Sequence, residues 1–205
     1  VRMKAVIRTE YGSPDVMRVI DRALPEPGPK QVRVRVEAAG VDIGVWHLLT
    51  GLPMMARLAL GLRTPREPGL GSELAGVVDA VGSQVTRFRP GDAVFGVGTA
   101  TFAEYALAPE KNLVPRPAGV SAAQAASSAI SGVTAVQALG TKPFARVLVL
   151  GASGGVGSFA TQFAKAAGPH VTAVASTAKL DFVRGLGADE VLDYTATDPV
   201  DGTLT

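Results

Sequence analysis

The 205-residue chain contains no cysteine. That absence excludes disulfide bonds, thiolate catalysis and every zinc site that depends on cysteine. Histidine is almost as scarce, with only His47 and His170 present. No window of about 18 apolar residues exists; the nearest, Leu52 to Leu62, is interrupted by Arg57. The opening VRMKAVIRTEYG lacks the apolar core of a signal peptide. Lysines and arginines form no run and the net charge is +2, although the pI is about 9.1. Neither nucleic acid nor a membrane surface is therefore expected as a partner. Together these absences predict a soluble, cytoplasmic protein. The 47% hydrophobic content allows a sizeable core.

What is present divides near Pro117-Ala118-Gly119. Before it, QVRVRVEAAG alternates Val32, Val34 and Val36 with Gln31, Arg33 and Arg35, the period of a half-buried strand. Met3–Ile7, Val16–Ile20, Leu74–Val81, Asp92–Phe95 and Phe102–Leu107 read similarly, separated by Pro- and Gly-rich breakers. Residues 1–118 are expected to form an irregular β-rich domain. Residues 119–205 are expected to form a second, α/β domain. It starts with an Ala-rich helical stretch, Val120 to Leu139, interrupted by Gly132. Strands are predicted at Val147–Leu150, Val171–Ala175 and from Val191. Between them lie an amphipathic helix ending at Gly168 and a helix over Lys179–Leu186 closed by Gly187. This is the first half of a doubly wound parallel sheet, which needs about six strands when complete.

The stretch LVLGASGGVGSFATQFAKAAG, Leu148 to Gly168, fits three patterns at once. As a G-x-S-x-G nucleophile elbow it requires an acid and then a histidine further on. Only His170 follows Ser153, with no Asp or Glu between them. As a short-chain dehydrogenase loop it calls for a later Tyr-x-x-x-Lys, which Tyr11, Tyr105 and Tyr194 all lack. No Lys-Ser/Thr follows the glycines, which excludes a P-loop. The dinucleotide reading is favoured, because a strand precedes the loop and an amphipathic helix follows it. Ala152, Ser153, Gly154, Gly155, Val156 and Gly157 are then the candidate pyrophosphate contacts. Gly154 lets the backbone approach the anion, and Gly157 lets the helix pack close to the strand. An NAD site usually carries Asp or Glu about 20 residues further on. Here VTAVASTAKLD offers Ser176, Thr177 and Lys179, which suit a 2′-phosphate, so NADPH is the expected cofactor. The plain alternative is that Ser176 or Thr177 caps the next helix and Lys179 is solvated.

The sequence resembles the medium-chain dehydrogenase/reductase superfamily, in particular its zinc-free quinone oxidoreductase-like branch. The resemblance rests on GSELAGVVDAVG (Gly71 to Gly82), PGDAVFG (Pro90 to Gly96), SGVTA (Ser131 to Ala135), GASGGVG, STAK and Asp193-Tyr194. It implies a GroES-like β domain followed by a Rossmann domain, with the active site in the cleft. It also implies that Thr134 touches the nicotinamide end, with Ser176, Lys179 and Tyr194 around the 2′-phosphate. Metal-dependent members carry a cysteine where this chain has Asp42 and a histidine where it has Ser72. Asp42 and Glu73 alone do not make a catalytic zinc site of three protein ligands, so no metal is expected.

Without a Lewis acid, the favoured reaction is hydride transfer to a quinone or an α,β-unsaturated carbonyl. Asp42 and His47 are the catalytic candidates. Asp42 would orient the carbonyl through water or, with a pKa raised by burial, donate to it; the alternative is a loop carboxylate bonded to backbone N–H groups. His47 would be a proton source; the alternative is a surface or helix-end histidine. Trp46, Leu52, Met54 and Met55 line an apolar substrate pocket or belong to the domain core. Two departures stand out. ALGTKPFARVLVL shortens the usual connection into the first Rossmann strand. The strands that in relatives complete the nucleotide domain and form a homodimer are missing, so the chain reads as truncated after its third parallel strand. Two further readings stay open: an NADPH-binding protein without turnover, and an enoyl-reductase unit of a larger synthase.

Overall fold

The computed structural model of the chain describes residues 1–141, 143–196 and 198. Lys142, in the shortened connection, and the last residues of the expected second domain lie outside the described residues. The chain forms two compact units, Val1–Ile130 and Ser131 onward.

In the first unit, strands β1 (Arg2–Ile7) and β2 (Arg18–Ala23) pair antiparallel. A five-stranded antiparallel sheet follows. It uses β3 (Gln31–Ala38), β4 (Glu73–Val81), β5 (Ala93–Val97), β6 (Tyr105–Pro109) and β7 (Leu113–Pro115), in the order β6-β3-β4-β5-β7. The alternation in β3 works as its period demands. Val32 and Val34 are fully buried with Leu74, Val78 and Val94, while Arg33 turns outward and its Nε pairs with Asp79 at 2.6 Å. The unit is not purely β. Helix α1 (Ile43–Thr50) opens on Asp42 as N-cap and ends at Gly51, whose φ of 63° suits a left-handed C-cap. A short helix α2 (Arg57–Leu60) follows.

The Ala-rich stretch breaks elsewhere than expected. Helix α3 (Ala122–Ala126) starts at a capping box in which Ser121 accepts from the Gln124 N–H while the Gln124 side chain accepts from the Ser121 N–H. The interruption falls at Ser127-Ser128, whose hydroxyls bond back to the carbonyls of Gln124 and Ala125. Gly132 instead lies inside α4 (Ala129–Leu139). Helix α3 packs Ala125 and Ala126 on Ala75 of β4. That contact carries the first unit on to Ile130, beyond the breakers at 117–119.

The second unit is a three-stranded parallel sheet in the order β10-β9-β8, from β8 (Arg146–Leu150), β9 (His170–Ala175) and β10 (Glu190–Asp193). Helix α5 (Gly155–Ala167) crosses from β8 to β9, and α6 (Leu180–Gly185) from β9 to β10. Ala160 and Ala164 of α5 bury against Val149, Val171 and Ala173, as its periodicity predicts. Helix α4 runs to Leu139, where the short connection to β8 begins. No single described helix is long and apolar enough to cross a membrane.

Candidate functional site

In the second unit the glycine loop joins the end of β8 to α5. Gly151 (φ 66°) turns the chain, Ala152 N–H donates to Val174 O (2.9 Å), and Gly154 N–H donates to Gly151 O (2.9 Å). Gly157 is required by close packing. A Cβ there would overlap the Gly151 carbonyl oxygen and stand 2.8 Å from Ala152 Cα. Gly154 is the N-cap of α5 with no side-chain cap, and Gly154, Gly155 and Val156 are exposed. The first N–H groups of α5 thus lack intrahelical partners and face outward, the arrangement that receives an anionic oxygen. Ala152 is buried and Ser153 half-buried.

Ser176, Thr177 and Lys179 follow β9, beside the end of β10, because Ala175 pairs with Asp193. Neither hydroxyl caps the next helix: Ser176 makes no cap bond, and the Thr177 hydroxyl donates to Asp193 Oδ2 (2.6 Å). Thr195 donates to the same carboxylate through its N–H and its hydroxyl. The Thr177 bond, then those from Thr195, hold Asp193 below the usual carboxylate range. A charged carboxylate therefore stands beside the segment selected for carrying none. Lys179 is exposed and makes no ion pair among the described residues, Tyr194 is 56% exposed, and Thr134 is exposed on α4.

In the first unit Asp42 and His47 share α1. Asp42 Oδ1 accepts from the Val45 N–H (2.9 Å), and His47 Nδ1 lies 2.6 Å from Leu52 O. A carbonyl only accepts, so Nδ1 carries the proton and a neutral ring leaves Nε2 as the acceptor. Trp46 packs edge-on to His47 and is 46% exposed, while Met54 and Met55 are 63% and 79% exposed. A partly open cavity of about 240 Å³ lies in the same unit, lined by Leu48, Ala59, Leu60, Ser72, Thr99 and Arg8 among others. None of Trp46, Met54 or Met55 lines it.

Sequence reasoning missed two buried charges near this cavity. Glu73 is 2% exposed; its Oε1 accepts from the Ile130 N–H at 2.6 Å and its Oε2 lies against Gly40. Burial pushes its pKa up, the Ile130 bond opposes that, and Asp42 adds to it. Arg8, also 2% exposed, reaches carbonyls 40 to 61 residues away, at Leu48 and at Glu67 to Gly69. Nothing local in VIRTEY announces that role. Beside it, Thr101 Oγ1 is buried behind Gly71 without a partner among the described residues.

A zinc ion does not fit this donor set. Asp42 caps a helix, Ser72 offers a hydroxyl, and Glu73 is bonded to backbone. No three His, Cys, Asp or Glu side chains are grouped to hold a metal among the described residues.

Comparisons agree with both units. Residues 28–118 match the alcohol dehydrogenase GroES-like domain, and residues 155–204 match the family described as zinc-binding dehydrogenase. The chain belongs to the medium-chain dehydrogenase/reductase superfamily, in its quinone oxidoreductase-like branch. It is 38% identical over 208 residues to a chloroplastic quinone-oxidoreductase homolog of Spinacia oleracea, covering 94% of this chain and 61% of that protein. Among solved structures, the quinone oxidoreductase of Coxiella burnetii matches with a TM-score of 0.86 at 30% identity, over 97% of this chain and 64% of that one. A mycobacterial protein complexed with NADPH matches with a TM-score of 0.80 at 33% identity, over 93% and 58%. The chain thus spans about 60% of the length of these relatives.

Proposed function

We propose that the chain belongs to a zinc-independent, NADPH-dependent oxidoreductase that passes hydride to a quinone or an α,β-unsaturated carbonyl. The observation that carries this reading is the uncapped start of α5, brought against the strand by Gly157, with Lys179 and Ser176 at the end of the neighbouring strand. The spinach relative's name and the NADPH in the mycobacterial structure support it.

NADPH, when bound, supplies the hydride. The α5 N–H groups and the loop from Ala152 to Gly157 would receive the pyrophosphate. Lys179 and Ser176, with Tyr194, would hold the 2′-phosphate against the repulsion of Asp193. Thr134 would meet the nicotinamide end. In the first unit the cavity would shelter the acceptor from water, with Leu48, Ala59 and Leu60 as its apolar wall. Asp42 fixes the start of α1, and the Leu52 carbonyl orients the His47 ring with its proton on Nδ1. Nε2 would first take a proton from water, and the resulting imidazolium would pass that proton to the reduced acceptor. The lack of a three-ligand group among the described residues supports acceptors whose conjugation spreads the developing charge without a metal.

Titrating NADPH by fluorescence, then adding a quinone and following the reduced nicotinamide absorbance, tests the reading. Binding followed by acceptor-dependent oxidation is expected, with kcat falling at least about a hundredfold in His47→Gln. Tight binding with no oxidation across quinones and enones would instead make this chain a cofactor-binding fragment without turnover.

A further inference from the structure

The first unit's cavity is bordered by a buried guanidinium that makes no ion pair among the described residues; Glu67 and the Tyr11 ring, 5.9 Å away, attract it only from longer range. Arg8 lines it and is 2% exposed. Its Nε donates to Leu48 O (3.0 Å), and its Nη1 spreads over the carbonyls of Glu67 (3.0 Å), Gly69 (3.3 Å) and Pro68 (3.4 Å). All four acceptors are neutral. No carboxylate reaches ion-pair distance of Arg8 among the described residues. Nη2, with two N–H donors, takes no hydrogen bond there, yet it is not sealed off. Arg66 also lines the cavity, and Glu67 is the one acidic side chain that does so. The Glu67 carboxylate is engaged by the Gly69 N–H at 2.9 Å. Two arginines against one glutamate leave a positive lining. A buried cation without a counter-ion is costly, and an anionic oxygen on the free edge of a guanidinium offsets that cost. The rest of the lining is apolar at Leu48, Ala59 and Leu60, and a cavity of about 150 Å³ already holds a benzene ring.

We propose that this cavity binds a small monocarboxylate, its carboxylate on Arg8 Nη2 and its apolar body against Leu48, Ala59 and Leu60. The acceptors used would then include quinones or enones that carry a carboxylate. That the occupant is the hydride acceptor rests on the function proposed above; that the cavity binds a monocarboxylate does not.

The test titrates benzoate and its neutral isostere benzamide into the full chain, reading Trp46, which shares α1 with Leu48. It is the only tryptophan. Saturable binding of benzoate, with benzamide weaker by about tenfold or more, is expected. Arg8→Gln should weaken benzoate about ten- to a hundredfold and leave benzamide unchanged. Where Arg8→Gln fails to fold, Arg66→Gln takes its place, with a several-fold loss for benzoate alone. Equal binding of the two ligands, or no saturation by benzoate, overturns the proposal. Benzoate binding without NADPH oxidation by any acceptor would sink the proposed reaction and leave this site standing. Turnover of neutral quinones without benzoate binding would do the reverse.

Discussion

The two units hold their chemistry in opposite ways. In the second, the candidate pyrophosphate site is contiguous: Gly151 to Gly157 bends the chain, opens α5 and exposes its N–H groups within seven residues. In the first, Arg8 links positions 40 to 61 residues away, and Glu73 reaches 57 residues to Ile130. A local motif survives in sequence because its spacing is its geometry. A site assembled by long-range contacts leaves no spacing to find.

Variants that hit one unit and spare the other break or sharpen this contrast. The largest effect is expected from Gly157→Val. Its side chain must displace the Gly151 carbonyl or push α5 from β8, at a cost of about 3 kcal/mol. NADPH titration should show binding abolished, while Trp46 emission, which reports only the first unit, stays native. A shift in Trp46 would mean that the units do not respond separately.

Arg8→Met is the counterpart in the first unit. It removes the guanidinium from the part-buried carbonyls of Leu48 and Glu67 and the buried carbonyl of Gly69, costing about 2–3 kcal/mol. Denaturation followed through Trp46 should move to lower denaturant, with NADPH affinity unchanged. Lys179→Ala then probes the second unit without disturbing its fold. NADPH binding should weaken by about 1.5–3 kcal/mol with little change for NADH, and equal losses for both cofactors would remove the 2′-phosphate from Lys179.

The fold was legible where period and punctuation agreed. The valines of β3 and the Gly168 stop appear where their spacing puts them. In α5 only Ala160 and Ala164 of the spaced apolar residues are buried, beside Gly157 and Thr161, while Val156, Phe163 and Ala167 are exposed. Helix α1 was missed although Asp42 and Gly51 are ordinary cap residues, because its eight residues sit among turn-formers in a β-rich stretch. The break in the Ala-rich stretch was assigned to Gly132, on propensity alone. Serine hydroxyls bonding back to carbonyls end α3 five residues earlier, where the helix meets the β-sheet. Trp46, Met54 and Met55 read as an apolar pocket or as part of the domain core, and all three are exposed. The first unit's cavity is lined by other residues, Leu48, Ala59, Leu60 and Ser72 among them, brought together by tertiary packing that composition does not encode.

Glu73 offers a smaller test of the first unit. Burial raises its pKa above the ordinary 4.5, so the native state keeps a proton that the unfolded chain releases. Its contribution to stability is complete below that ordinary value and is lost as pH rises through the raised native value. The slope is at most about 1.4 kcal/mol per pH unit. Glu73→Gln keeps an acceptor for the Ile130 N–H and should flatten the profile over this window. An unchanged slope would assign the pH dependence to another group.

The smallest expected effect comes from Asp193, a residue whose place beside Ser176 and Lys179 follows from strand pairing. The carboxylate is distant in sequence from Ser176 and Lys179 but is delivered beside them by the β9–β10 pairing. Its bonds from Thr177 and Thr195 keep it ionised, so it opposes a phosphate held by Lys179. It is half-buried, and solvent on its open side screens part of that opposition. Asp193→Asn removes the charge and keeps an oxygen for the Thr177 hydroxyl. NADPH affinity should rise a few-fold at low salt, with the gain shrinking as salt is added, and NADH should gain nothing. A loss for NADH together with no gain for NADPH would mean that Asp193 holds a ribose hydroxyl, and the cofactor preference would reverse. The site would then follow the long-range rule of the first unit, its specificity set by a residue that spacing from the glycine loop does not reveal.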